Sequence, residues 1–160
     1  MRLLHYSLLA VVAAAFVKTP PVRAAESVRV TNAWVRAPAP GQKTASAYAE
    51  ISSAENAALV AAGSPLASRV EMHSTSMEGG VMRMRALPRI DLPAGQAVKL
   101  APGGTHLMLV DLKQTLKPGD KVPLVLSVQP TGAAAGSALT TLKVELEVRA
   151  AAAAAAGHHH

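Results

Sequence analysis

No cysteine occurs in the 160 residues. That removes a disulfide framework, a thiolate zinc site, an iron–sulfur cluster, a cysteine nucleophile and a blue-copper centre, each of which needs cysteine sulfur. Aromatic residues make up 2% of the chain, and only Trp34 and Tyr48 lie beyond the first 25 positions. Two aromatics provide no stacking platform for single-stranded nucleic acid. Charge is sparse too, at 16% of residues, while half the chain is apolar, a balance that excludes intrinsic disorder. A core has to be built from Val, Leu, Ile, Ala and Met. The formal charge of +6 includes Arg2, Lys18 and Arg23, and without these three the chain carries 13 basic residues against 10 acidic ones. The 13 are scattered, which describes a mildly basic solvated surface and no nucleic-acid footprint.

The longest apolar stretch is near the start. Met1-Arg2 is followed by an apolar segment that runs unbroken from Leu8 to Val17, then Lys18, Pro20 and Pro21, and the small-residue site Val22-Arg23-Ala24-Ala25. This is the order of an export signal, cleaved after Ala24 or Ala25. The run is shorter than the about 20 residues a bilayer span needs, and no later segment qualifies. The expected organisation is a signal peptide over 1–25, one domain over 26–149 and an Ala/His tail over 150–160. The mature protein is expected in the periplasm, held together by packing alone.

The rest of the chain reads as short strands separated by Gly and Pro. Ser27–Thr31 and Thr44–Ile51 alternate on either side of Pro38-Ala39-Pro40-Gly41. Ala57–Ala62 and Ser68–His73 are split by Gly63-Ser64-Pro65. Val81–Leu87 follows Gly79-Gly80, Ala97–Leu100 follows Pro93-Ala94-Gly95, and His106–Leu112 follows Pro102-Gly103-Gly104. Lys121–Gln129 follows Lys117-Pro118-Gly119-Asp120, and Ala138–Val148 closes the series. Eight or nine strands without an amphipathic helix predict an all-β antiparallel sandwich or Greek-key barrel.

Outside leader and tail there are two histidines, His73 and His106. The five methionines beyond Met1 (Met72, Met77, Met82, Met84 and Met108) all fall in the same stretch. Methionines serving only as core filler would be spread along the domain. In strand geometry His106 and Met108 share a face, with Leu107 and Leu109 on the other; Met82 and Met84 share a face opposite Arg83 and Arg85. By the same alternation Met72 is expected in the core and His73 exposed. Imidazole with thioether is a soft, neutral donor set that selects Cu(I) over hard cations. Methionine needs no deprotonation and forms no disulfide in an oxidising compartment, although it can be oxidised to the sulfoxide.

His73 is followed by ten residues and Met84, then by twenty-one residues and His106, then by Leu107 and Met108. This spacing resembles the signature of the periplasmic copper chaperones of the PCuAC family. So do Asn32-Ala33-Trp34-Val35-Arg36, Gly79-Gly80-Val81-Met82-Arg83-Met84, Pro93-Ala94-Gly95 and the Pro102-Gly103-Gly104 turn before His106. The resemblance implies a cupredoxin-like Greek-key β-barrel and a single Cu(I) held by His73, Met84, His106 and Met108. It implies a monomer that delivers copper by ligand exchange to the copper-bearing subunit of cytochrome c oxidase, alongside a Sco-type thiol protein. Some members carry His- and Met-rich tails that bind Cu(II); His158–His160 offer histidine without methionine. Trp34 is expected to pack, not ligate. Enzyme chemistry is not expected, because no Ser-His-Asp arrangement and no paired carboxylates accompany the histidines. The competing expectations are copper storage or tolerance, and a structural β-sandwich without metal.

Overall fold

The computed structural model describes residues 27–132 and 139–151. The expected leader and His158–His160 lie outside the described residues. Ten strands form: β1 (Val28–Arg36), β2 (Thr44–Ser53), β3 (Ala57–Gly63), β4 (Ala67–Glu78), β5 (Val81–Leu87), β6 (Ile90–Leu92), β7 (Ala97–Leu100), β8 (His106–Leu112), β9 (Lys121–Pro130) and β10 (Thr140–Arg149). The one not expected from sequence is β6. Its three residues lie between Pro88 and Pro93, too few to display alternation, yet Ile90 and Leu92 are both buried.

Period-two patterning explains the barrel wall. In β9, Val122, Leu124, Leu126 and Val128 are buried, while Lys121, Pro123 and Gln129 are exposed. β10 pairs with it in register, Val144 opposite Leu124 and Leu146 opposite Val122. In β2 the core-facing residues are Ala45, Ala47, Ala49 and Ile51, all buried. Small side chains there let the neighbouring wall approach closely, which is how an alanine-rich chain fills its interior without aromatics.

Seven strands close into a ring in the order β4-β8-β2-β1-β10-β9-β3, with Ala62 of β3 opposite Val70 of β4 completing the circle. Strands β5, β6 and β7 attach to β4, β3 and β2. β8 lies between β2 and β4, a Greek-key arrangement in which sheet neighbours are distant in sequence. The pair β1–β10 is parallel, not antiparallel as expected. Alternation reports which face a residue takes and carries no information on strand direction. β1 and β10 are the first and last strands, so no short turn constrains them to run in opposite senses.

β1 also contains a bulge. Its register against β2 shifts between Thr31 and Trp34, and Asn32 takes φ of 50°. Asn tolerates this left-handed conformation better than most side chains. The shift exchanges the two faces: Val28 points inward before the bulge, and Val35, fully buried, points inward after it. Trp34 is thereby turned onto the outer face, beside Tyr48.

Candidate metal centre

Two tight turns set the geometry of the candidate site. The β4–β5 hairpin closes through Gly79 and Gly80, with φ of 58° and 78°. Positive φ at both central residues is the two-residue turn that matches strand twist, and glycine meets it without steric cost. It fixes the register Met77 opposite Met82, Thr75 opposite Met84 and His73 opposite Ala86. Before β8, the Gly104 N–H donates to the Ala101 carbonyl at 3.1 Å, with Pro102 and Gly103 (φ 78°) as central residues of a type II turn. The turn aims the Gly104 carbonyl back into the site. It accepts there from Thr75 N–H and from the His106 ring, each at 3.1 Å.

His73 and His106 stand directly opposite one another on β4 and β8, ring centroids 5.9 Å apart. Tyr48, with its ring 6.3 Å from that of His106, and Trp34, 4.6 Å from Tyr48, continue the row across β2 and β1. All four residues are on the barrel's outer face, since their chain neighbours Met72, Leu107, Ala47 and Val35 are in the core. Tyr48 is capped by the Arg36 guanidinium, and Trp34 by that of Arg149, each 5.6 Å from the ring centroid. His106 is 4% exposed although it lies on the outer face. The His73 side chain is 13% exposed, so the expectation of an exposed His73 is corrected. The 101–104 turn reaches across to β4 beside the two rings, where the Gly104 carbonyl accepts from Thr75 N–H.

The hydrogen bonds assign the tautomers. A carbonyl oxygen only accepts, so His106 Nδ1–H donates to Gly104 O. His73 Nε2–H donates to Glu71 Oε2 at 2.9 Å. Glu71 is held below the usual carboxylate range by its hydrogen bond from Arg69 Nε, at 2.6 Å, and secondarily by His73, so it remains an ionised acceptor at neutral pH. The other ring nitrogens, His73 Nδ1 and His106 Nε2, are buried and have no hydrogen-bond partner. A buried unpaired polar atom costs free energy. A neutral imidazole whose N–H is held by a carboxylate or carbonyl, with its lone pair left free, is the state in which histidine binds a metal.

The two methionines flank this pair. Met108 lies two residues along β8 from His106 and opposite Glu71; Met84 lies on β5, one rung towards the hairpin tip. Met84 is 50% exposed and Met108 is half-buried. The fold thus brings His73, Met84, His106 and Met108 onto one outer face. Among the described residues no three His, Cys, Asp or Glu side chains gather into a group that could hold a metal ion. Met72 is in the core as expected, whereas Met77 and Met82 are exposed. Glu71, Gly104 and Tyr48 are parts of the site that spacing did not single out. For Glu71 a signal existed, since it lies two residues from His73 in a strand and must share its face. Replacing Glu71 by Ala is expected to weaken any metal binding at the histidine pair by about 10- to 100-fold, the usual cost of losing a partner that orients a ligand. Glu71→Gln, which keeps an acceptor oxygen, is expected to recover part of it, both being read by competition with a chromophoric chelator.

The fold is that of the cupredoxin-like PCuAC domains. The copper-bound PCuAC domain of PmoF2 superposes with a TM-score of 0.61 at 22% identity, covering 78% of this chain and 93% of that one. Apo-DR1885 from Deinococcus radiodurans, at 28% identity and a TM-score of 0.55, covers 94% of this chain and 95% of its own. The Cu(I) form of DR1885, at 30% identity and a TM-score of 0.58, covers 79% of this chain and 83% of its own. The chain belongs to the LpqE-like family, described as "Putative lipoprotein LpqE-like", whose model matches residues 28–148. A protein of Leifsonia xyli subsp. xyli, described as "Putative lipoprotein Lxx21020", is 36% identical over 107 residues, 66% of this chain. The chain spans 64% of the length of that relative. No helix among the described residues is long and apolar enough to cross a membrane.

Proposed function

We propose that this protein is an exported copper chaperone, not an enzyme, that carries one Cu(I) as cargo on His73, Met84, His106 and Met108. The observation that carries this reading is the opposed histidine pair, each ring locked into one tautomer with its remaining nitrogen buried and unpartnered. The Cu(I)-bound structure of DR1885, 30% identical, supports the cargo, and the lipoprotein descriptions of the relatives support export.

Release proceeds by ligand exchange. Half-exposed Met84 is the ligand an incoming donor reaches first, whereas His106 is enclosed. A site meant for storage has no use for an accessible ligand, so exposure favours delivery. The acceptor we propose is the CuA-bearing subunit of cytochrome c oxidase in the periplasm, with a Sco-type thiol protein alongside. Arg36 and Arg149 beside the site favour an acidic docking surface. The terminal histidines are proposed as a separate, weaker Cu(II) site.

The test is an anaerobic Cu(I) titration against a chromophoric chelator, using a chain that ends at Ala151. Ending at Val148 would remove Arg149, whose carbonyl accepts from Ala37 N–H at 2.8 Å. One tight equivalent is expected, lost in the Met84→Ala/Met108→Ala double variant, followed by transfer to the apo oxidase fragment. Absence of binding in the chain ending at Ala151 would assign all metal chemistry to the terminal histidines. Binding without transfer would leave storage as the reading.

A further inference from the structure

The β4–β5 hairpin tip holds methionines that neither the core nor the proposed site uses. Met77 and Met82 are a direct cross-strand pair, 67% and 64% exposed. They share the outer face with Thr75, Met84 and His73, because alternate residues of paired strands project together. The charges at the hairpin tip are on the other face. There Glu78 is paired with Arg83 at 3.3 Å and Arg85 at 3.2 Å, so its carboxylate is neutralised away from the methionines. At the tip the methionine face therefore presents neutral thioether sulfur and one hydroxyl. Packing does not account for this choice, since nothing covers these side chains among the described residues. An apolar exposed tip on an edge strand is a liability that charged side chains avoid.

We propose that Met77 and Met82 form a second, weaker Cu(I) site at the hairpin tip, which shares Met84 with the central site and loads it. Directly opposed residues have Cβ atoms about 4.5–5.5 Å apart. The flexible methionine side chains let both sulfurs turn to one ion, and thioether sulfur selects Cu(I) over hard cations. The donors then form a line of single rungs: Met77 with Met82, then Met84, then His73 with His106. Each rung is two residues, or about 6.6 Å of strand. Transfer is ligand exchange along this line. A bond to Met84 forms as the one to Met77 breaks, and bonds to His73 and His106 form as the one to Met82 breaks; the ion stays Cu(I), and no proton moves because every ligand is neutral. The gain of two imidazoles makes inward transfer downhill. This loading role rests on the central site proposed above.

The test uses the full chain with methionine methyls labelled with carbon-13, titrated anaerobically with Cu(I) and followed by NMR. The first equivalent is expected to shift the Met84 and Met108 methyls, and the second those of Met77 and Met82. Met77→Leu/Met82→Leu keeps apolar side chains of similar volume in the strands. It is expected to abolish the second event, leave the affinity of the first unchanged, and slow loading from a Cu(I) chelate by about tenfold or more, the effect of losing a tethered local supply. Unmoved Met77 and Met82 methyls while Met84 and Met108 respond would overturn the tip site and leave the central one standing. An unchanged loading rate in the double variant would overturn the relay. A response at Met77 and Met82 with none at Met84 and Met108 would sink the central assignment, and the loading role with it.

Discussion

His106→Ala is expected to lower Cu(I) affinity by more than about a hundredfold, since losing even an outer partner of a metal ligand costs about 10- to 100-fold. Two features make His106 the most consequential of the four. It is the most enclosed, at 4% exposed, so no water or neighbouring side chain can readily stand in for it. It also faces His73 directly, so its loss leaves a single imidazole with flexible thioethers. The apo protein is expected to stay folded with a lower urea midpoint. Alanine forfeits the packing of a nearly buried ring and the hydrogen bond to Gly104 O, the latter worth about 1 kcal/mol, while removal of the unpartnered Nε2 offsets part of the loss. Affinity is read by chelator competition and folding by denaturation of the same preparation. An unchanged affinity would remove His106 from the ligand set.

Leu109→Ala is expected to do the reverse. Leu109 lies three residues along the same strand but points inward and is fully buried. Truncating such a leucine costs about 3–5 kcal/mol, from lost burial and the cavity left behind. Small domains have about 5–15 kcal/mol in total, and this chain has no cysteine to staple it. The urea midpoint should therefore fall steeply with little change in m-value. Below the transition, the folded fraction should still bind one Cu(I), because the outer face of β8 is untouched. A loss under about 1 kcal/mol would mean that the interior collapses around the gap. The two variants together separate the faces of one strand, the outer for metal and the inner for stability.

Much of this arrangement was legible from residue order. Leu107 and Leu109 alternate with His106 and Met108, and strand geometry sends one pair inward and the other out. Gly79-Gly80 and Pro102-Gly103-Gly104 each mark a turn of a definite type, and both turns are where the residues put them. The spacing of His73, Met84, His106 and Met108 singled out four positions that the fold gathers on one face. Other features were not legible. β6 is too short to alternate. The bulge at Asn32 reverses the inward face of β1, so Val28 and Val35 both reach the core from positions of opposite parity. The parallel pairing of β1 with β10 has no local signal, because it joins residues more than a hundred positions apart.

Local chemistry was enough to establish an all-β domain without cysteine, its turn positions, and a soft neutral donor set concentrated in one stretch. These follow from period-two alternation, glycine's access to positive φ, and the affinity of thioether and imidazole for copper, none of which needs a partner from elsewhere in the chain. The barrel alone settled how those donors are presented. Closure between β3 and β4, and the placing of β8 against β4, put His73 opposite His106. Partners only two residues away, Glu71 set by Arg69 and Gly104 set by its turn, chose which nitrogen of each ring is left free. Enclosure of His106 and exposure of Met84, Met77 and Met82 likewise depend on which strands cover which. Burial is a property of the assembled sheet, and no stretch of sequence contains it.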